Sequence, residues 1–315
     1  MRPAVVAALP SLLVFTVSCA PTSTALPTPE PTGSAAVTQV APVPTVPQPS
    51  ERTGATPCPT IEPTIQPLVE REEETDAVRF TILYDNNAHD PALETDWGFA
   101  CLAELDHATV LFDTGGDGPT LLDNMETLGV DPQAIDAVAL SHNHGDHTGG
   151  LDALLDTGAR PTVYVPASFP SAFKRDVAAR TELVEVTGPA EILAGVHTTG
   201  EIGSSIVEQA LVVETDAGPV VLTGCAHPGI VSMVRGAKEV APGDVALVVG
   251  GFHLRSASRR RVGQIIDALR ELGVERVAPT HCTGDEARQM FAEAFGDDCT
   301  LAGVGQTFRI GGRGE

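Results

Sequence analysis

Ser141-His142-Asn143-His144-Gly145-Asp146-His147-Thr148-Gly149-Gly150 places three imidazoles and a carboxylate within six positions and closes them with two glycines. It follows a strand-like apolar run, Ala137-Val138-Ala139-Leu140, and precedes a helix start near Gly150-Leu151. The cluster therefore belongs on a loop at a strand end, where a rigid scaffold can present chemistry. His142 and His144 are two apart, so an extended backbone points both rings the same way. Gly145 lets the chain turn, and Asp146 and His147 are presented from the far side of that turn, in reach of a second ion. Neutral imidazole suits zinc, iron or manganese, and a mixed nitrogen and oxygen set with open positions suits catalysis. The competing reading, three ordinary core or surface histidines, has to find a hydrogen-bond partner for each ring beside a carboxylate.

This stretch resembles the His-x-His-x-Asp-His signature of the metallo-β-lactamase fold superfamily, and Leu111-Phe112-Asp113-Thr114-Gly115 lies upstream, where that superfamily carries an Asp-Thr-Gly turn. Thr199-Gly200-Glu201-Ile202, Leu222-Thr223-Gly224-Cys225-Ala226-His227-Pro228-Gly229-Ile230, Gly250-Gly251-Phe252-His253-Leu254 and Pro279-Thr280-His281-Cys282-Thr283-Gly284 resemble, more narrowly, the branch named for the dihydropterin–ribofuranosylaminobenzene phosphate synthase of methanopterin biosynthesis. The resemblance runs from about residue 80 to 310. It implies an α/β (α+β) fold, the four-layer αββα sandwich, with metals at one edge between the sheets.

Composition divides the chain before any element is assigned. About half of the 25 prolines precede Leu68. Residues 1–19 read as an export signal: Arg2, then an apolar run too short to make a comfortable permanent span. The ending Thr16-Val17-Ser18-Cys19 resembles a bacterial lipoprotein signal with Cys19 lipidated, although Thr16 stands where leucine is preferred. Residues 20–68 read as a Pro/Thr/Ser-rich tether with nothing to bury, extended and partly polyproline II. Residues 69–315 are ample for one domain. A formal net charge of −23 argues against nucleic acid, whose phosphates it repels. The partners expected are a small-molecule substrate and, through the lipid, a membrane; nothing specifies an oligomeric state.

Alternation predicts strands over 79–84, 101–105 and 109–112, and apolar runs predict strands over 162–165, 183–186, 196–199, 211–214, 220–222, 245–249, 276–278 and 306–310. Helices are expected over 120–128, 151–155, 172–180, 229–238, 259–272 and 285–295, the fifth with Val262, Ile265, Ile266 and Leu269 on one face. Strand pairs mixed with single helices fit two packed sheets with helices outside.

Two ions need more ligands than one loop offers. His227 and His281 each follow an apolar strand and precede a helix, the same strand-to-loop position as the first cluster. The resemblance implies that His142, His144 and one of these bind one ion, while Asp146, His147 and the other bind the second. It also implies a bridging aspartate, where this chain has Cys225. That cysteine reads either as a soft thiolate ligand favouring zinc or, by preference, as a small buried residue. Asp113 is expected to orient a ligand imidazole, and His197 to be structural. His253 ends an apolar strand and reads as a ligand, a structural ring or, by preference, a substrate-facing acid/base. Arg255 and Arg259 open the one basic concentration and read as a phosphate or carboxylate site, or equally as a solvated helix face. Setting Cys19 aside, five cysteines remain (Cys58, Cys101, Cys225, Cys282 and Cys299). A disulfide among Cys58, Cys101 and Cys299 is permitted outside the cytoplasm.

The expected activity is that of an exported, membrane-anchored hydrolase with a binuclear centre, two divalent ions, zinc first and iron or manganese next. A hydroxide held between the ions would attack an ester, lactone, amide or phosphoester, with Asp146 as ligand and proton acceptor. A pterin-type transferase, the reaction of the branch, is the alternative, against which export argues. A lipoprotein that binds through its metal pocket without turnover is another, against which the intact Asp146 argues. An iron redox centre ranks last, because that version replaces a loop histidine with a carboxylate.

Overall fold

Runs such as Val220-Val221-Leu222 and Leu247-Val248-Val249 are apolar at every position, as strands covered on both faces must be, and these residues are buried. A computed structural model of the chain describes residues 77–312, within a unit bounded by Leu68 and Glu315. Cys19, the export signal, the tether and Cys58 lie outside the described residues.

Seven strands make the first sheet: β1 (Val78–Asp85), β2 (Phe99–Leu105), β3 (Ala108–Phe112), β4 (Ala137–Ala139), β5 (Thr162–Pro166), β6 (Leu183–Val186) and the closing β13 (Thr307–Ile310), in the order β13-β1-β2-β3-β4-β5-β6. Six make the second: β7 (Ala190–Leu193), β8 (Val196–Thr198), β9 (Leu211–Val213), β10 (Val220–Thr223), β11 (Leu247–Gly251) and β12 (Val277–Thr280), in the order β12-β11-β10-β9-β8-β7. The helices are α1 (Gly118–Leu128), the single turn α2 (Gly145–Thr148), α3 (Leu151–Asp156), α4 (Ser171–Ala178), α5 (Ile230–Val240), α6 (Arg259–Glu271) and α7 (Asp285–Phe295).

The packing has four layers. Phe80, Ile82, Phe99 and Phe112 of the first sheet meet Leu211, Val220, Leu222 and Val249 of the second in the inter-sheet core. Alternate residues of the same strands face outward: Leu102, Leu111 and Val138 pack on Leu121, Met125 and Leu154 of α1 and α3. On the other side, Val221, Val248 and Val277 pack on Met233, Val262, Ile266 and Phe291 of α5, α6 and α7. The period of two in the strands sends successive side chains into different cores. A register shift between Ile82 and Tyr84 breaks that alternation, so Leu83 and Tyr84 both join the outer core.

Local signals account for the helix boundaries. The Asp117 side chain caps α1 at Thr120 N, and Gly129 at φ 70° ends it. Ser258 caps α6 at Arg261 N, and Val262, Ile265, Ile266 and Leu269 form its buried stripe.

Three features differ from expectation. β7 was not foreseen, because Ala190 and Glu191 are exposed on the edge of the second sheet and leave no apolar pattern. β12 runs on to Thr280, the residue before His281. Gly145 does not simply turn the chain but opens the helical turn α2, whose first-turn N–H groups of His147 and Thr148 bond to the carbonyl of His144. Cys101 and Cys299 are both free, so they are not joined to each other. Among the described residues no helix is long and apolar enough to cross a membrane.

β3 is parallel to β4, and β10, β11 and β12 are mutually parallel. Their carboxyl ends meet at one edge of the sandwich, the usual place for ligands in parallel sheets. Buried polar side chains collect there: Asp85, Asp113, Ser141, His142, His147, Glu208, Thr223, Thr280 and His281.

Candidate metal centre

Each candidate ligand leaves the end of a strand. His142 and His144 follow β4, Asp146 and His147 occupy α2, Cys225 and His227 follow β10, and His281 follows β12. Asp113, Ala226, His253 and His281 are the non-glycine residues of the described chain with left-handed backbones, at φ 58°, 58°, 52° and 47°. Such conformations cost energy, and all four cluster at this edge. Gly149 and Gly150 are required for closeness: a Cβ on either would strike the carbonyl oxygen of Gly116 or Thr114, which seats the histidine loop against the Asp113 turn.

The side chains resolve into two sets of convergent ligand atoms, His142, His144 and His227 in one and Asp146, His147, Cys225 and His281 in the other; within each set the atoms lie within 4.8 Å of one another. The sets adjoin, since the His142 and His147 ring centroids are 4.3 Å apart. Asp113 joins them. Its Oδ1 accepts from Ser141 N at 2.7 Å, and its Oδ2 accepts from Ser141 Oγ and from His147 Nδ1, each at 2.7 Å. His147 therefore carries its proton on Nδ1 and presents Nε2, which is 3.3 Å from Cys225 Sγ. With Ser141 Oγ committed as donor to Asp113, its lone pair receives His142 Nδ1 at 2.9 Å. That leaves His142 Nε2 as a lone pair, 2.9 Å from His144 Nδ1. Asn86 Oδ1 takes the Nδ1 proton of His281 at 2.9 Å, turning Nε2 towards Asp146 Oδ2 at 3.4 Å. A partner behind the ring that fixes the tautomer is the habitual support of a metal-binding imidazole.

The electrostatics favour neutral rings at His142 and His227 and an ionised carboxylate at Asp146. Burial, then the neighbouring imidazoles of His147, His144 and His227, hold the His142 pKa far below its ordinary value. His227 is lowered to about 4, by burial and then by His253 and His144. Burial pushes Asp146 up, but the adjacent His281 and His147 rings outweigh it and hold the carboxyl well below the usual range.

The site passes a test of fit for cations. His227 Nε2, His281 Nε2 and both oxygens of Glu208 are buried with no hydrogen-bond partner. Interior lone pairs left empty are costly. The two nitrogens fall one in each ligand set, with an aspartate and a thiol in the second, and match the nitrogen, oxygen and sulfur donors of a divalent metal.

Glu208 was not anticipated. It is fully buried, with Oε1 at 3.3 Å from His142 Nδ1 and 3.8 Å from His227 Nε2, and burial raises its pKa to about 8. The one sequence signal was a lone acid three residues before an apolar strand. Ser141, Asn86 and Trp97 were likewise not singled out. Cys225 is buried, as preferred, and is also in ligand range. His253 is exposed, tilted on His227 at a centroid distance of 4.2 Å.

The two arginines part company. Arg255 lies over the Trp97 ring at 5.4 Å, while Trp97 rests on His281 at 4.8 Å. Together with Asn86 they line a cavity of about 370 Å³ beside the second ligand set. Arg259 is exposed, paired with Glu286 at 3.1 Å, and is not among the residues lining that cavity. A larger cavity, about 430 Å³, opens by Val78, His107 and Ile310 and contains none of these ligands. His197 pairs with Glu214 at 3.2 Å, away from both sets.

Residues 98–281 match the model of the metallo-beta-lactamase superfamily. The chain belongs to that superfamily. Among curated relatives, the 7,8-dihydropterin-6-methyl-4-(beta-D-ribofuranosyl)-aminobenzene-5'-phosphate synthase of Methanocaldococcus jannaschii is 29% identical over 284 residues, spanning 73% of this chain and 96% of its own. Among solved structures, Tm1679, a metal-dependent hydrolase of the β-lactamase superfamily, superposes with a TM-score of 0.63 at 28% identity, covering 74% of this chain and 99% of that one. The metallo-β-lactamase fold protein YhfI from Bacillus subtilis shares the fold, with a TM-score of 0.58 at 15% identity over 74% of this chain and all of its own. A metallo-β-lactamase fold with candidate histidine, aspartate and cysteine ligand clusters is thus established for this chain.

Proposed function

We propose that the protein is an exported metal-dependent hydrolase whose centre takes two divalent cations, zinc before iron or manganese. His142, His144 and His227 would hold one, and Asp146, His147 and His281, with Cys225, the other. The observation that carries this reading is the set of buried lone pairs at His227, His281 and Glu208 that no protein donor satisfies. The Cys225 thiol supports zinc, the softer choice. When bound, the ions supply Lewis-acid polarisation and lower the pKa of water.

The protein's own groups do the rest. Asp146, with its side chain 22% exposed, accepts the proton of the attacking water and passes it to the leaving group. Asp113, through Ser141 and His147, and Asn86, through His281, hold the rings in their metal-facing tautomers. Arg255, spread over Trp97 at the mouth, takes an anionic end of the substrate. The bond broken is an ester, lactone, amide or phosphoester. A second reading, pterin-type transfer, is favoured by the likeness to the dihydropterin synthase along nearly all of that protein's length.

Elemental analysis of the full chain alongside lactone, ester and phosphodiester substrates, and a pterin diphosphate supplied together with ribofuranosylaminobenzene phosphate, separates these readings. At least about two zinc ions per chain with turnover of a hydrolysable bond is the expected result. Condensation of the pterin substrate without hydrolysis would move the assignment to transfer, and bound metal with no turnover would leave a binding protein. The anchoring part has its own test: C19A is expected to move the exported protein from the membrane fraction to the soluble one, because the lipid is the attachment. Retention in the membrane fraction would overturn lipidation at Cys19.

A further inference from the structure

We infer that Cys225, His253 and Cys282 form a third cation site, suited to a soft divalent ion such as zinc, sharing Cys225 with the second ligand set. The ligand atoms of these three residues lie within 4.8 Å of one another. Their origin is regular. β10, β11 and β12 are adjacent parallel strands ending at Thr223, Gly251 and Thr280, and each ligand stands two positions beyond its strand. The parallel register carries that common offset into a common position, so three side chains from distant parts of the sequence arrive at one point.

The backbone is adapted to this meeting. His253 itself is left-handed, as are Ala226, next to Cys225, and His281, next to Cys282. Gly251 lets the strands and the thiol close in: a Cβ there would strike Gly224 O at 2.4 Å and lie 2.7 Å from Cys282 Sγ. A buried cysteine kept for packing alone would need none of this. Two thiolates and an imidazole are a set that holds zinc with a fourth position open. Here His253 is exposed while both sulfurs are buried, so the open side faces solvent. Binding displaces the Cys282 thiol proton to solvent, and that of Cys225 where the second ion has not already done so, and the nearby Asp146 carboxylate offsets the crowding of positive charge. His253 thereby takes the ligand role among its sequence readings, in place of the acid/base role.

The inference goes beyond the two-ion hydrolase, and the two fail differently. The full-length protein, loaded with zinc and freed of excess, is expected to hold about three ions per chain, and C282S about two. In the cobalt-substituted protein the thiolate-to-metal absorption should weaken in C282S without vanishing, since Cys225 still ligates. A wild-type count of about two, or a C282S count equal to wild type, overturns the third site and leaves the binuclear reading standing; a count near zero removes both. Should C282S fail to fold, anomalous scattering at the zinc edge from wild-type crystals decides the matter. A peak among Cys225, His253 and Cys282 supports the site, and a peak confined to the histidine loop sets, or a Cys225–Cys282 disulfide, overturns it.

Discussion

The D146A variant is expected to lose one divalent ion per chain and more than about 10²-fold in kcat/KM while keeping its fold. Loss of an outer partner of a ligand already costs about 10–100-fold in metal affinity or activity, so loss of a ligand that is also the proposed proton acceptor must cost more. The fold should survive because Asp146 lies on the exposed side of a four-residue turn and is partly open to solvent. Its removal strands no buried donor, since the His281 Nε2 that faces it is a lone pair without a hydrogen-bond partner. Metal content, circular dichroism and steady-state kinetics on one preparation check all three parts. Full activity in a D146A protein that had lost the ion would sink the hydrolytic mechanism.

D113A should do the reverse, damaging the fold as well as the site. Asp113 is fully buried and accepts three hydrogen bonds, from Ser141 N, Ser141 Oγ and His147 Nδ1. Alanine leaves these donors unsatisfied in the interior, at a cost of about 3–5 kcal/mol, or a fall in Tm of about 10 °C. Both cation positions should weaken together, because the same carboxylate orients His147 of one set and, through Ser141, His142 of the other. D113N keeps the volume and one acceptor oxygen, so it should recover part of the stability and less of the metal affinity. Thermal melting of the metal-free chain separates the two effects. A metal-free D113A protein as stable as wild type would show that these hydrogen bonds carry little of the fold.

The first ligand loop could be read from sequence because its chemistry is contiguous: residues 142–147 need only a strand before them and a turn within them. His227 and His281 were readable because each follows an apolar strand, and Asp113 because it sits in a recognisable turn. Glu208 was not readable, since an isolated glutamate three residues before β9 acquires meaning only when the fold sets it beside His142, 66 positions earlier in the chain. Trp97 and Asn86 escaped for the same reason, as their partner His281 is almost two hundred residues away. The convergence of Cys225, His253 and Cys282 depends on strand order in the second sheet, which alternation in one strand cannot specify. Arg255 and Arg259 looked equivalent in sequence. The start of α6 divides them, leaving Arg255 over Trp97 and carrying Arg259 to Glu286 on the outer surface.

The register of β1 fixes where the chain joins its own fold. Val78 pairs with Ile310, at the end of the strand remote from Asp85, and Asp85 is the end that reaches Thr280 and the ligand edge. The Val78 end of β1 and the ligand edge therefore occupy opposite poles of the sandwich.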